Sequence, residues 1–512
     1  MEPPSKSKFL SPPMTMDRAV RVGVFRYTGG IGPFRSVEGV WTQTISALRR
    51  WFEVEIHSSP DLDLRQCRTA AELLDHVDIA FVLLPYQALP PNRSVPALVL
   101  ALGSLHKGGP WIARFADRLT RADTVVINSR SCRAMLEEMV VGPTLGVDLV
   151  PLAIDARVFH PREPDPAVRA RLGIPASADV VVYAGRLSLQ KNVNQLFEVV
   201  RRLRRRDRDA YLLLAGAPDD NVIPEFENAS LGEHGRWLAD RARGLGIDRY
   251  VRWLGHLNKG ALAVVFSIAD VGISLSTLPN ENFGLAVVEM QATGLPVVTT
   301  DWGGYRDTVG GDGLNRIPTM LSRLGPRFSV EAATETLISI MEDESFRHDL
   351  GAAALTSAAR FTEERYDRSL ARAVREALRR SETVNPEPLG LDPSWCAAML
   401  ETVGRRLDLR WVALDMVEQA ANYRRILRHA ATFVHDEVDW FDGIPTERAF
   451  DWTTDGRGNV RSSDRRWSPG LPPYRLDGPR PAALLAADGL IVPTWTMHRA
   501  RQALGSQRRR VR

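Results

Sequence analysis

LPNENFGLAVVEMQATGLPVVTTDWGGY, residues 278–305, joins the end of a buried strand, a polar loop, a short apolar helix, a second buried strand and a Gly-Gly turn. Two carboxylates bracket the helix, Glu281 just ahead of it and Glu289 inside it. A helix rises ~1.5 Å and turns ~100° per residue, so Glu289 lies about 12 Å further along and about 80° around. Leu285, Val288 and Ala292 make an i, i+3, i+7 stripe, and Glu289 falls on it. A carboxylate on such a buried face is costly unless something pairs with it. Glu281 sits beside the helix N-terminus, where free N–H groups and the macrodipole favour anions. There it serves equally as a cap or as a group aimed at a ligand.

The same alternation of apolar runs and helical segments extends in both directions. Upstream lie VVVYAG (180–185), YLLLAG (211–216), YVRWLG (250–255) and VGISLS (271–276), with PVVTT (296–300) inside the quoted stretch. An earlier set has matching spacing: RVGVF (21–25), VEIHS (54–58), VDIAFVLL (77–84), ALVLAL (97–102), TVVIN (124–128) and DLVPL (148–152). Near-continuous apolar strands separated by helices imply parallel sheets covered on both faces. The expected fold is α/β, two Rossmann-like doubly wound domains facing across a cleft, where ligands of such folds bind.

The expected division is a disordered lead-in over 1–18, a first domain over 19–160 and a proline-punctuated connection over 161–175. A second domain follows over 176–383, with a closing helix at 360–380, and then an extension over 384–512. The extension is expected to be mainly helical or irregular, with helices over 393–440 and ordered loops over 441–480.

At 512 residues the chain exceeds one ordinary core, and 44% apolar with 25% charged residues describes a globular protein. Its formal charge of +4 favours anionic partners: nucleotides, phospholipid surfaces or nucleic acids. Cys67, Cys132 and Cys396 are far apart and form no CxxC, so they read as reduced residues outside any zinc site. No apolar run approaches the length of a membrane span. The expected compartment is the cytoplasm, with peripheral contact at the inner face of the membrane as an alternative.

GRLSLQK (185–191) directly follows a strand. Arg186 offers a planar fork and Lys191 a point charge, which together suit a diphosphate; a solvated pair near a helix start is the competing reading.

With these residues in place, the chain resembles the retaining, nucleotide-sugar-dependent glycosyltransferases of family 4, which have the GT-B fold. The resemblance rests on YAGR with a lysine five residues on, LLLAG, VRWLGHL, ENFGLAVVE, GLPVVTTDWGGYRDTV and RFTEERY. It covers roughly residues 20–380 and is stronger in the second domain. It implies that Glu289 holds the ribose hydroxyls and Glu281 the far side of the donor sugar. Arg186 and Lys191 would stabilise the departing diphosphate, and Asn282, Phe283, Gly284 and Leu285 would line the donor, the last three through backbone N–H groups. Electrostatic stabilisation of this kind is worth ~3–4 kcal/mol per donor group. No metal and no cofactor are implied beyond the nucleoside-diphosphate sugar as co-substrate.

Gly29 and Gly30, in TGGIG, resemble the family's glycine loop facing the donor phosphates, with a plain tight turn as the competitor. His106, in GSLHKGG, stands where family members often place a histidine at the donor sugar. Other features carry less. Asp61 and Asp63 form a DxD without supporting context, and His435, Asp436, Glu437, Asp439 and Asp442 suit a solvated helix end better than a metal. Arg508, Arg509, Arg510 and Arg512 form a short basic tail, and nucleic acid is not the expected partner. Arg49, Arg50 and Trp51, with PWIARFADRLTR (110–121), suit a membrane-surface patch or ordinary amphipathic helices.

The expected function is transfer of a sugar, with retention, to an unidentified acceptor: a glycan, a lipid carrier, a peptide or a small natural product. The alternatives are a GT-B sugar-nucleotide epimerase or hydrolase, and a catalytically silent nucleotide-sugar-binding scaffold.

Overall fold

Two parallel sheets, each of six strands, organise the chain in the computed structural model. It describes residues 19–27, 35–59, 74–83, 93–102, 105–106, 109–110, 119–139, 146–188, 191–218, 233–278, 281–322, 325–387 and 428–434, with short strands in 452–481. Gly29, Gly30, Asp61, Asp63, the His435–Asp442 cluster, the terminal arginines, the lead-in and most of the 110–121 segment lie outside the described residues.

The first sheet contains β1 (Arg21–Tyr27), β2 (Glu53–Ser59), β3 (Ile79–Leu83), β4 (Ala97–Leu100), β7 (Thr124–Ile127) and β8 (Gly146–Leu149), in the order β2-β1-β3-β4-β7-β8. Strands β3, β4 and β7 are buried along their whole length, which is why they read as continuous apolar runs. The last strand starts and ends earlier than the DLVPL run suggests. Val150 still donates to Ile127 O, and Pro151, lacking an N–H, cannot carry the ladder on. Between β4 and β7 a small antiparallel pair, β5 (Leu105–His106) and β6 (Gly109–Pro110), sets His106 opposite Gly109.

The second sheet holds β9 (Asp179–Ala184), β10 (Ala210–Ala215), β11 (Val251–Gly255), β12 (Val271–Ser274), β13 (Val297–Thr300) and β14 (Arg316–Ile317), in the order β11-β10-β9-β12-β13-β14. The chain moves outward from β9 to β11, then returns to the other side of β9 at β12. That reversal opens a crevice at the carboxyl ends of β9 and β12, the usual ligand position in such sheets.

Helices α1 (Arg35–Arg49), α2 (Arg130–Met139), α3 (Pro166–Arg171), α4 (Val193–Arg205), α5 (Glu233–Gly244), α6 (Lys259–Ser267), α7 (Leu285–Ala292), α8 (Tyr305–Thr308), α9 (Val330–Glu342), α10 (Glu344–Ala358) and α11 (Glu363–Thr383) complete the described fold. The stretch 161–175 contains a helix as well as a connection. Asp165 accepts from Ala167 N at 2.9 Å and Pro166 occupies the first turn of α3, a favourable start on both counts.

Helix α11 returns to the first domain. It buries Tyr366, Leu370, Val374 and Ala377 on one face and starts at Thr362, whose side chain accepts from Arg365 N. The Tyr366 and Thr44 hydroxyls are 2.7 Å apart, Arg50 pairs with Asp367, and Ile154 N donates to Phe361 O at 3.0 Å. One continuous apolar cluster runs from Val22 and Trp41 through Phe159 to Phe283 and Leu370, so the two domains share a core.

In the extension, residues 428–434 form a turn and a short strand where a helix is expected. β15 (Thr319–Ser322) and β16 (Gly325–Phe328) are antiparallel, and β17 (Phe433–Val434) joins β15 in parallel. Trp452–Thr454, Asn459–Ser462 and Arg480–Pro481 form a further three-stranded sheet, in place of the expected loops. The remaining residues expected to be helical lie outside the described residues.

Candidate active site

Residues following β9 and β12 meet in the crevice at the switch point. Lys191 Nζ donates to Glu281 Oε2 at 2.5 Å, with the lysine side chain 17% and the glutamate 5% exposed. The next residue, Asn192, has φ +54°, a left-handed backbone that asparagine tolerates better than most side chains. Its Nδ2 donates to Leu275 O at 2.7 Å and to Thr277 Oγ1 at 2.9 Å. The loop bearing the lysine is thereby fastened to the end of β12, which leads to the glutamate.

The Gly-Gly turn braces the Glu281 loop from behind. Gly304 N donates to Glu281 O at 2.7 Å, Trp302 Nε1 to Leu278 O at 2.8 Å, and Thr308 Oγ1 to Phe283 O at 3.1 Å. A Cβ on Gly304 would lie 1.9 Å from Asn282 O, so only glycine allows this approach. Tyr305 reaches under the loop, with its hydroxyl 2.7 Å from Ser274 Oγ. Burial, and next the charge of Glu281, hold the Tyr305 phenol well above its ordinary pKa.

Gly284, at φ +77°, starts α7 without a side-chain cap, and Val287 N and Val288 N both donate to its carbonyl. Glu281 is therefore a loop residue paired with Lys191, while a glycine occupies the cap position. The first-turn N–H groups and the dipole favour an anion at this end. Glu289 is 7% exposed, and burial pushes its carboxyl up to about 7, with the positive charge of Lys259 opposing the shift. The cation near this buried acid comes from the start of α6, a residue the sequence reading missed.

Arg186 is half-buried at the end of β9. Its carbonyl accepts from the buried Tyr183 hydroxyl at 2.8 Å. Phe283 packs edge-on against Phe361 with ring centres 5.1 Å apart, and Leu285 is partly buried. The structure thus brings together Lys191, Glu281 and the 282–285 segment beside the Arg186 turn, with Glu289 further along α7. His106 lies on β5, in the first domain. Asn128, Ser129, Tyr183, Asn192, Lys259 and Tyr305 also enter this region. Of these, Ser129, ahead of an amphipathic run in NSRSCRAML, and Asn192, ahead of VNQLFEVVRRL, carry a local signal, that of a helix cap.

Two doubly wound domains joined by a returning helix have the GT-B architecture, and the paired Lys191 and Glu281 stand at the switch point of the second sheet. The profile "Glycosyl transferases group 1" matches residues 165–356. A D-inositol 3-phosphate glycosyltransferase from Corynebacterium kroppenstedtii is 30% identical over 342 residues, covering 63% of this chain and 71% of that protein. One from Stackebrandtia nassauensis is 32% identical over 248 residues, covering 48% of this chain and 52% of its own length. The chain belongs to the group 1 glycosyl transferases and is a glycosyltransferase. Among solved structures, sucrose-phosphate synthase from Thermosynechococcus elongatus superposes with a TM-score of 0.53 at 17% identity, covering 70% of this chain and 98% of that one. Anabaena HepE, in complex with UDP and glucose, gives 0.50 at 17% identity, covering 69% and 99%.

Proposed function

We propose that the chain is a retaining, metal-independent transferase of family 4 type, moving a sugar from a nucleoside diphosphate to an acceptor held on the first-domain side of the cleft. The observation that carries this reading is the Lys191–Glu281 pair beside the N-terminus of α7, with a second buried carboxylate, Glu289, further along the same helix. Glu289 takes the ribose hydroxyls. Arg186, Lys191 and the backbone of 283–285 take the diphosphate, and Glu281 faces the sugar, with Asn282 beside it in the segment that lines the donor. His106, Gly29 and Gly30 close the donor from the first domain, on the strength of the resemblance.

Transfer proceeds at one face of the sugar. The acceptor oxygen bonds to the anomeric carbon as the bond to the phosphate oxygen breaks, and the acceptor proton leaves with the diphosphate. The cations offset the charge that develops on the leaving group. No cofactor enters this scheme. A cytoplasmic enzyme, with any membrane contact peripheral, is part of the same proposal.

The nucleotide is tested by calorimetry with UDP, GDP, ADP and TDP, with UDP first because Anabaena HepE is described in complex with it. A ligand at 100 times its Kd stabilises by ~2.7 kcal/mol, a clear thermal shift. Binding of none of the four overturns the donor assignment. D-inositol 3-phosphate is the first acceptor to test, because it appears in the names of the curated relatives. Rapid breakdown of donor without acceptor would favour the hydrolase alternative, and binding without turnover on any acceptor the silent scaffold.

A further inference from the structure

We propose that Asn282 is a positioning residue through which the first domain sets the donor loop, by way of Asn128 and Ser129. This rests on the donor reading above. The Asn282 amide uses both its ends across the domain boundary. Its Nδ2 donates to Asn128 Oδ1 at 2.6 Å, and its Oδ1 accepts from Ser129 Oγ at 3.1 Å. All three residues are buried. A lost partner would therefore leave a polar group away from water, and the contact is favoured in one arrangement of the domains only.

Both ends of this bridge are built into rigid parts. Asn128 Nδ2 donates to Val150 O at 2.8 Å, fixing it to the residue that follows the last strand of the first sheet. Ser129 Oγ accepts from Cys132 N at 3.3 Å at the start of α2. On the other side, Asn282 lies between Glu281, paired with Lys191, and Phe283 and Gly284, which lead into α7. A parallel tie reinforces the register, since Arg130 donates from both its backbone N and its Nε to Asp307 at 2.6 Å. Asp307 belongs to α8, just after the turn that braces the Glu281 carbonyl. A shift of the β7–α2 junction is thus transmitted to the loop carrying Glu281 and to the N-terminus of α7.

The test is a double-mutant cycle read as UDP affinity, using Asn128→Ala, Asn282→Ala and the double variant, with apo stability measured alongside. Coupled neighbours carry interaction energies that correspond to about tenfold in affinity. Asn128→Ala, in the first domain, is expected to weaken UDP binding by about that factor, and the double variant no further than the worse single. A purely structural role would lower the melting temperature and leave the UDP Kd unmoved, overturning the proposal, as would additive losses in the double variant. Glu289→Ala separates the two levels. If it weakens UDP binding while Asn128→Ala does not, the coupling alone falls. If wild type binds none of the four nucleotides, donor reading and coupling fall together.

Discussion

Lys191 Nζ and Glu281 Oε2, 90 positions apart in the chain, meet at 2.5 Å across the crevice between the ends of β9 and β12, two strands that are neighbours in space. On the proposed function the pair sets a cation where a diphosphate would leave and an acid where a sugar would sit, and each offsets the cost of burying the other's charge. On that reading, charge on the incoming donor competes with Glu281 for the lysine and re-partners the pair.

Removing the cation should separate catalysis from folding. Lys191→Ala leaves Glu281 buried without its partner, and breaking a fully buried pair costs ~3–5 kcal/mol. Because the lysine remains in part solvent-accessible, about 1–3 kcal/mol of stability is the expected loss here. Lys191→Ala combined with Glu281→Gln should recover most of that stability and none of the turnover, which is expected to fall ~10²–10³-fold. Urea denaturation beside nucleoside-diphosphate release checks both halves; equal loss of stability and activity in every variant would mark the pair as structural only.

Glu289 gives a pH prediction with a definite sign. Its carboxyl is raised by burial from 4.5 to about 7 in the fold. A group raised on folding adds stability that is fully present below its unfolded value and is lost as pH climbs through its folded value. The free protein should therefore lose up to ~3 kcal/mol between about pH 4.5 and 7 from this residue alone. Glu289→Gln should lack that component, so its stability relative to wild type rises with pH across the same window. Ribose hydroxyls donating to the carboxylate favour its charged form, so UDP binding should tighten through about pH 7 and release a proton. Calorimetry in two buffers of different ionisation enthalpy reads the proton directly, and Glu289→Gln should show neither effect.

The strands of both sheets were legible because buried parallel strands are apolar on both faces, and β3, β4, β7 and β13 are buried throughout. The meeting of the two halves was less so. Nothing local marks Asn282 as a residue that uses its amide on Asn128 and Ser129, about 150 positions away, or Tyr305 as the support beneath the donor loop. Both depend on which loops the topology brings together. The Gly-Gly turn could be read as a turn, but its closeness to the 281–282 backbone is a tertiary fact. In the extension, turn-rich sequence suggests loops where Trp452–Thr454 and Asn459–Ser462 pair as neighbours, because strands of three and four residues are too short to show a period.

Gly304→Ala tests that brace. Its backbone is at φ −66°, which any residue adopts, so the substitution acts by collision alone: the new methyl would sit 1.9 Å from Asn282 O and 2.8 Å from Phe283 N. The turn must retreat, the Gly304 N–H bond to Glu281 O is strained, and the acid moves. A loss of about 1–3 kcal/mol in urea denaturation is expected, with UDP affinity falling in parallel. Unchanged affinity would mean the donor loop holds its shape without the turn.

The strap at 428–434 lies against the outer side of the same turn. Gly303 N donates to Ala430 O at 2.9 Å, Arg306 donates to Ala431 O at 3.0 Å, and the Thr432 hydroxyl donates to Asp301 Oδ2 at 2.8 Å while accepting from Thr319 N. From the other end of the strap, Arg428 and His429 reach Glu138 on α2, at 3.1 and 3.2 Å. The strap therefore touches both domains, and its bonds to the turn satisfy groups that would otherwise face solvent beside the donor loop. Thr432→Val keeps the shape and deletes the hydroxyl; with Thr319 N and Asp301 both losing a partner, about 1–2 kcal/mol should be lost. Glu138→Gln weakens an ion pair whose arginine is about half exposed and should cost well under ~1 kcal/mol. If the strap braces the turn, Thr432→Val also weakens UDP binding and Glu138→Gln does so less. The reverse order would place its main effect on the domain arrangement, through α2.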